Sequence, residues 1–154
     1  PGLIGFRSMP GGGTTDYAVD AFHCAQAGQP LTCYLDENER LPMMSMDDAV
    51  RGTMELMEAP SECIRIRTSY NLSGCDFTPC ELTRALQQRV PGFDTVYAPD
   101  HRLEIAASWP NSLDDSDARR DWGWSPRHDV QGLVAHVLDG LTQQSRVDKP
   151  VVNM

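Results

Sequence analysis

Pro10-Gly-Gly-Gly-Thr-Thr-Asp-Tyr-Ala18 sets three glycines where a helix is about to begin. Glycine lets a backbone turn through positive φ and lets a small molecule approach it closely. Thr14 or Thr15 is placed to cap the helix that follows, and the free amides of a helix N-terminus favour an anionic group such as a carboxylate. The run therefore reads either as a ligand-facing loop or as an ordinary glycine loop with a threonine cap.

Outward from this run the chain alternates helices and short strands in a mixed α/β order, with no internal repeat or low-complexity linker. Residues 2–6 read as the tail of a buried parallel strand. Residues 16–27 read as a helix with Tyr17, Ala18, Phe22 and Ala25 near one face and Gly28 at its end. Residues 31–35 and 41–44 are expected as short strands about the polar turn at 36–39. A helix over 47–58 is predicted from its acidic first turn, from Val50, Met54 and Met57 at helical spacing and from Pro60 beyond its end, with the methionines expected in the core. Residues 65–72 carry a β-like run ending at Ser73-Gly74. Thr78-Pro-Cys-Glu81 is a strong helix start, because cap and Glu can satisfy free amides reciprocally. That helix should reach about Arg89 and break at Pro91-Gly92. A strand over 93–98, helices over 115–122 and 130–141 and a frayed tail over 145–154 complete the pattern.

Several motifs recur in a family order. Pro1-Gly2-Leu3-Ile4, the Gly11-to-Tyr17 run, Leu41-Pro-Met-Met-Ser-Met-Asp-Asp-Ala-Val50, Thr68-Ser-Tyr-Asn-Leu-Ser-Gly74, Tyr97-Ala-Pro-Asp100, Ser108-Trp-Pro110 and Asp121-Trp-Gly-Trp-Ser-Pro126 together resemble the L-threonine 3-dehydrogenases of the short-chain dehydrogenase type, over residues 1 to about 144. The Tyr-Asn-Leu-Ser-Gly and Trp-Gly-Trp-x-Pro motifs are shared with extended short-chain dehydrogenases and nucleotide-sugar epimerases at large. The Gly-Gly-Gly-Thr-Thr-Asp-Tyr run is narrower and points to the substrate.

The resemblance implies an α/β fold: the C-terminal portion of an extended short-chain dehydrogenase Rossmann fold, made of the last sheet strands and a small substrate-binding lobe over 1–144, with 145–154 as a tail. It implies L-threonine as substrate, NAD as cofactor of the intact enzyme and a homodimer, mitochondrial in a eukaryote and cytoplasmic in a bacterium. Gly2 and Leu3 would pass the nicotinamide, or form a plain buried strand. Thr14 and Thr15 would offer hydroxyls and amides to the substrate carboxylate or 3-hydroxyl. Asp16 would take its ammonium, or serve as an ordinary first-turn acid. Trp109 would donate its indole N–H to the carboxylate, or anchor a lobe junction. Trp122 and Trp124 would pin the last helix to the core.

Two signatures of such dehydrogenases are missing from this sequence. The single lysine, Lys149, has Ser145 four positions before it, so no Tyr-x-x-x-Lys pair is present, and Gly2-x-x-Gly5 is followed by Ser8 rather than by a third glycine of a dinucleotide-binding turn. The chain is therefore expected to be the C-terminal half of a dehydrogenase, starting just downstream of the catalytic lysine, with the N-terminal Rossmann half, and a targeting peptide if one exists, upstream of Pro1. No catalytic residue is expected within it. A related epimerase or reductase, or a lobe turned into a non-catalytic interaction module, stand as the alternatives.

Thirteen basic against twenty-two acidic residues give a net charge of −9, which repels nucleic-acid backbones and anionic membranes. Neither partner is expected, and no apolar run approaches the ~20 residues of a membrane span. Five cysteines, Cys24, Cys33, Cys63, Cys75 and Cys80, are odd in number and lack Cys-x-x-Cys spacing, so reduced thiols are expected and no metal site is. The histidines at 23, 101, 128 and 136 read as scattered surface or packing residues, and Asp114 to Asp117 as a helix cap and solvated first turn.

Overall fold

Strand β1, Gly2–Ile4, runs parallel to β3, Leu41–Ser45, and β3 takes β4, Cys75–Phe77, antiparallel on its other side. A second sheet pairs β2, Leu31–Cys33, with β5, Thr95–Tyr97, in parallel. Six helices pack around these: α1 Asp16–Ala27, α2 Met46–Glu58, α3 Pro79–Arg89, α4 His101–Ala107, α5 Ser116–Trp122 and α6 Val130–Val147. The computed structural model describes residues 1–7 and 9–147. Ser8, Lys149 and the rest of the expected tail lie outside the described residues, while 145–147 belong to α6.

The expected bounds of α1 hold, because Gly28 takes a left-handed conformation at φ 68° and returns its N–H to the last turn. The reciprocal cap of α3 forms as well: Thr78 Oγ1 accepts from Glu81 N–H and Glu81 Oε2 accepts from Thr78 N–H. Strands β2 and β3 flank the polar turn but do not pair with each other; they enter different sheets.

The run at 65–72 is not a strand. Its amides at Arg65 and Ile66 donate to the Tyr70 hydroxyl, which donates to Asp121 Oδ2 at 2.7 Å, so side chains satisfy what a neighbouring strand would have. The strand comes after Gly74, where a Cβ would collide with β3.

The two faces of the β1–β3–β4 sheet are packed differently. Ile4, Leu41, Met43 and Phe77 join the buried side chains of α1, α3 and α6 in one large cluster. Met44 turns the other way, to Trp124 and Ala118, with Ala49, Tyr70, Leu72 and Trp122 around them. The two tryptophans thus anchor this second cluster, not the last helix. The α2 methionines are not core: Val50 is 56 % exposed and Met57 75 %, with Met46 and Met54 exposed beside them. Helical spacing fixed which residues share a face, and among the described residues nothing covers that face.

Candidate functional site

An aspartate, not a threonine, closes the glycine loop. Asp16 Oδ2 accepts from Gly11 N–H at 2.7 Å and from Gly13 N–H at 2.9 Å. Thr15 stands at the N-cap position but is helical there, at φ −90° and ψ −5°, and its side chain makes no capping bond. A cap hydroxyl reaches the second or third amide from an extended backbone, so the helical conformation takes that geometry away. The consequence is chemical. Two loop amides, those of Gly11 and Gly13, are spent on Asp16, whereas the hydroxyls of Thr14 and Thr15 have no hydrogen-bond partner among the described residues.

Gly2 and Thr15 are brought together. A Cβ on Gly2 would sit 2.7 Å from Thr15 Cβ and 2.6 Å from Met43 Sδ, so glycine is what lets β1 cross the start of α1. Leu3, paired in register with Met44, is exposed.

The loop is latched from a second side. The Tyr34 hydroxyl, just past β2, donates to Gly13 O at 2.7 Å. The Arg102 guanidinium lies 3.2 Å from the centre of the Tyr34 ring and is gripped by Asp100, Nη2 to Oδ2 at 2.6 Å and Nε to Oδ1 at 3.0 Å. Asp100 also caps α4 by accepting from Arg102 N–H. Those bonds to Arg102 hold the Asp100 carboxyl down at about 2. Trp109 follows α4, 41 % exposed, its indole N–H without an acceptor among the described residues. Asp100, Arg102 and Tyr34 had no role in the sequence reading. Asp100 stood within a family motif, and an aspartate two positions before an arginine at a helix start was the available signal.

Burial, opposed by the Tyr17 backbone amide and by Arg102, pushes the Tyr34 phenol up to about 12. Beneath it Tyr17 is fully buried, edge-on to Tyr34 at 6.4 Å, and its hydroxyl has no hydrogen-bond partner among the described residues; burial raises that phenol well above its ordinary value. A phenol whose folded pKa is raised stabilises the fold fully below its unfolded value of 10.0, and that contribution is lost as pH rises through about 12. Alkaline titration followed by phenolate absorbance should therefore show Tyr34 ionising late, with loosening of the Gly11-to-Asp16 loop in the same range. A titration curve that Tyr34→Phe leaves unchanged above pH 10 would refute this assignment.

The remaining polar groups are less site-like. The five cysteines are free thiols, and burial pushes Cys75 up to about 12, so it carries no thiolate for redox work near neutral pH. The histidines are less scattered than expected: His128 stacks on His136 at 4.9 Å, and His136 Nε2 lies 3.0 Å from Asp47 Oδ2. Among the described residues no group of three His, Cys, Asp or Glu side chains could hold a metal ion, and no helix is long and apolar enough to cross a membrane.

No family model matches the chain. It is 47 % identical over 148 residues to the bovine mitochondrial L-threonine 3-dehydrogenase, a match covering 96 % of this chain and 39 % of that protein. An uncharacterized epimerase/dehydratase of Staphylococcus haemolyticus is 38 % identical over 147 residues, 95 % of this chain and 46 % of its own length. Among solved structures, the holo form of a GalE-like L-threonine dehydrogenase from Cupriavidus necator superposes with a TM-score of 0.89 at 53 % identity, over 92 % of this chain and 46 % of that one. The chain thus spans less than half the length of the relatives it matches.

Proposed function

The chain belongs to the L-threonine 3-dehydrogenase family, within the epimerase/dehydratase group of short-chain dehydrogenases, and from that premise we propose that it supplies the threonine-orienting part of such an enzyme. The reaction is oxidation of the 3-hydroxyl of L-threonine to 2-amino-3-oxobutanoate, the hydride going to NAD and the hydroxyl proton to a base outside these residues. Residues 1–144 form the substrate lobe and last strands of the domain, in a dimeric enzyme that is mitochondrial in a eukaryote and cytoplasmic in a bacterium.

The observation carrying this reading is the contact of Gly2 with Thr15 beside a glycine loop held shut by Asp16 and Tyr34. It sets the residues resembling the cofactor strand against those resembling the substrate loop. The free hydroxyls of Thr14 and Thr15 and the free indole N–H of Trp109 take the substrate carboxylate, and Asp16, with Oδ2 spent on the loop, offers Oδ1 to the ammonium. Gly2's missing Cβ already answers to Thr15 and Met43, so the fit to a nicotinamide rests on Leu3 and the Gly2 backbone. When bound, NAD supplies the hydride acceptor. The residues of this chain orient the amino-acid end so that the 3-carbon faces it.

The test is a protein in which this chain is joined to the part of the C. necator enzyme outside the match. Threonine-dependent NADH formation is expected. Thr15→Ala and Trp109→Phe each remove a hydrogen-bond donor from the site and should cost about 1–3 kcal/mol in threonine binding, with NAD affinity nearly unmoved. A KM and kcat for threonine unchanged in both variants would assign these residues to packing, and loss of NAD affinity alone would set the loop against the cofactor.

A further inference from the structure

Tyr34 is bonded to both elements that carry the proposed threonine contacts. Its backbone is tied to the start of α4, where Asp100 N–H donates to Tyr34 O at 3.1 Å and Ala98 N–H to the neighbouring Cys33 O at 2.8 Å. Its hydroxyl points the other way and donates to Gly13 O at 2.7 Å. The Arg102 guanidinium covers the ring between them at 3.2 Å, and Asp100 grips that guanidinium through Nε and Nη2. From Arg102, α4 runs on through the buried Ala106 to Trp109, whose backbone N–H donates to Ala106 O at 2.9 Å. One phenol thus joins the element ending at Trp109 to the loop that holds Thr14 and Thr15.

Gly13 is where that bond takes effect. Its N–H donates to Asp16 Oδ2, and its carbonyl accepts from Asp16 N–H at 3.1 Å as well as from Tyr34. A peptide group is planar and trans, so its C=O and N–H point in opposite directions. Holding Gly13 O toward Tyr34 therefore turns the Thr14 N–H away from it, and that amide has no hydrogen-bond partner among the described residues. Asp16 ties the loop only to the helix that the loop begins. Tyr34, 21 positions away, ties it to a different sheet.

We propose that Tyr34 is a positioning residue for threonine: its hydroxyl sets the plane of the peptide between Gly13 and Thr14, and with it the aim of Thr14 and Thr15, while Asp100 and Arg102 fix the ring that carries the hydroxyl. This rests on the reading under Proposed function, and it makes α4 and the glycine loop a single frame around the amino-acid end. Tyr34 itself moves no proton, because its hydroxyl is given to Gly13 O. Its effect on the reaction is geometric, through residues that touch the substrate.

Steady-state kinetics on the joined protein test this. Tyr34→Phe keeps the ring beneath Arg102 and removes only the hydroxyl, so kcat/KM for threonine should fall roughly tenfold while the KM for NAD and the Tm stay put. Arg102→Met leaves the hydroxyl but not its brace, and should lower kcat/KM for threonine by less. The double variant should be no worse than Tyr34→Phe alone, because both changes act through one bond. A threonine kcat/KM unchanged in Tyr34→Phe would overturn the inference. So would equal losses for threonine and NAD with a lowered Tm, which would make Tyr34 a packing residue, and additive losses in the double variant would overturn the part given to Arg102. A joined protein that forms no NADH from threonine even with Tyr34 in place would refute the functional reading and this inference with it, whereas an active protein indifferent to Tyr34→Phe refutes the inference alone.

Discussion

Purified by itself, the 154-residue chain should form no NADH from threonine and NAD, and should bind NAD more weakly than micromolar. A general base must lie within hydrogen-bond reach of the hydroxyl and have a pKa near the working pH. The four tyrosines do not meet that requirement. Burial raises Tyr17, Tyr34 and Tyr97, Tyr34 is committed to Gly13 O, and Tyr70 to Asp121. Nor, among the described residues, does the glycine loop offer its Gly11 and Gly13 amides to a pyrophosphate. A dinucleotide turn presents glycine amides to phosphate at a helix start, but the amides of Gly11 and Gly13 are occupied by Asp16. Isothermal titration and a coupled absorbance assay check both halves of the expectation. Micromolar NAD affinity, or any threonine-dependent NADH, would show that this chain holds a base and a phosphate cradle of another kind.

What the sequence revealed and what it hid divide along one physical line. Helix α1 and the cap of α3 were legible to the residue because their signals are local: a left-handed glycine at 28, and a Thr and Glu three apart whose bonds close on themselves. The run at 65–72 was misread because Tyr70 draws its hydroxyl's acceptor from Asp121, 51 positions on, and no window of sequence contains both. Strand pairing was hidden for the same reason. Strands β2 and β3 follow one another in the chain, yet each is committed to a distant partner. At the site, the glycine run was readable as a loop, but its closure was not. Asp16 reaches backwards to two amides, Tyr34 arrives from 21 positions away, and Arg102 comes from a different helix to cover the tyrosine ring.

The largest loss of stability from one substitution is expected at Trp124, and it should leave the loop intact. Trp124 is 1 % exposed, and its Nε1–H donates to Ser73 O at 3.1 Å. Gly52 is bare beneath it, since a Cβ there would lie 2.8 Å from the ring, and the Arg51 guanidinium covers the ring at 4.5 Å while also reaching Ser125 O. Trp124→Ala therefore opens a cavity between α2, α5 and β3, leaves the Ser73 carbonyl unpaired and releases Arg51. Such a change costs about 3–5 kcal/mol, a large share of the ~5–15 kcal/mol that holds a domain folded. Trp122→Ala, at a half-buried ring against Tyr70, should cost visibly less. Denaturant unfolding of the two variants measures the difference, and a loss at Trp124 no larger than that at Trp122 would remove the second cluster's claim to hold the sheet. The damage should stay on that side. Met44 carries the Trp124 cluster while its neighbour Met43 faces Gly2 and Thr15, so below its lowered Tm the Trp124→Ala chain should keep the late titration of Tyr34.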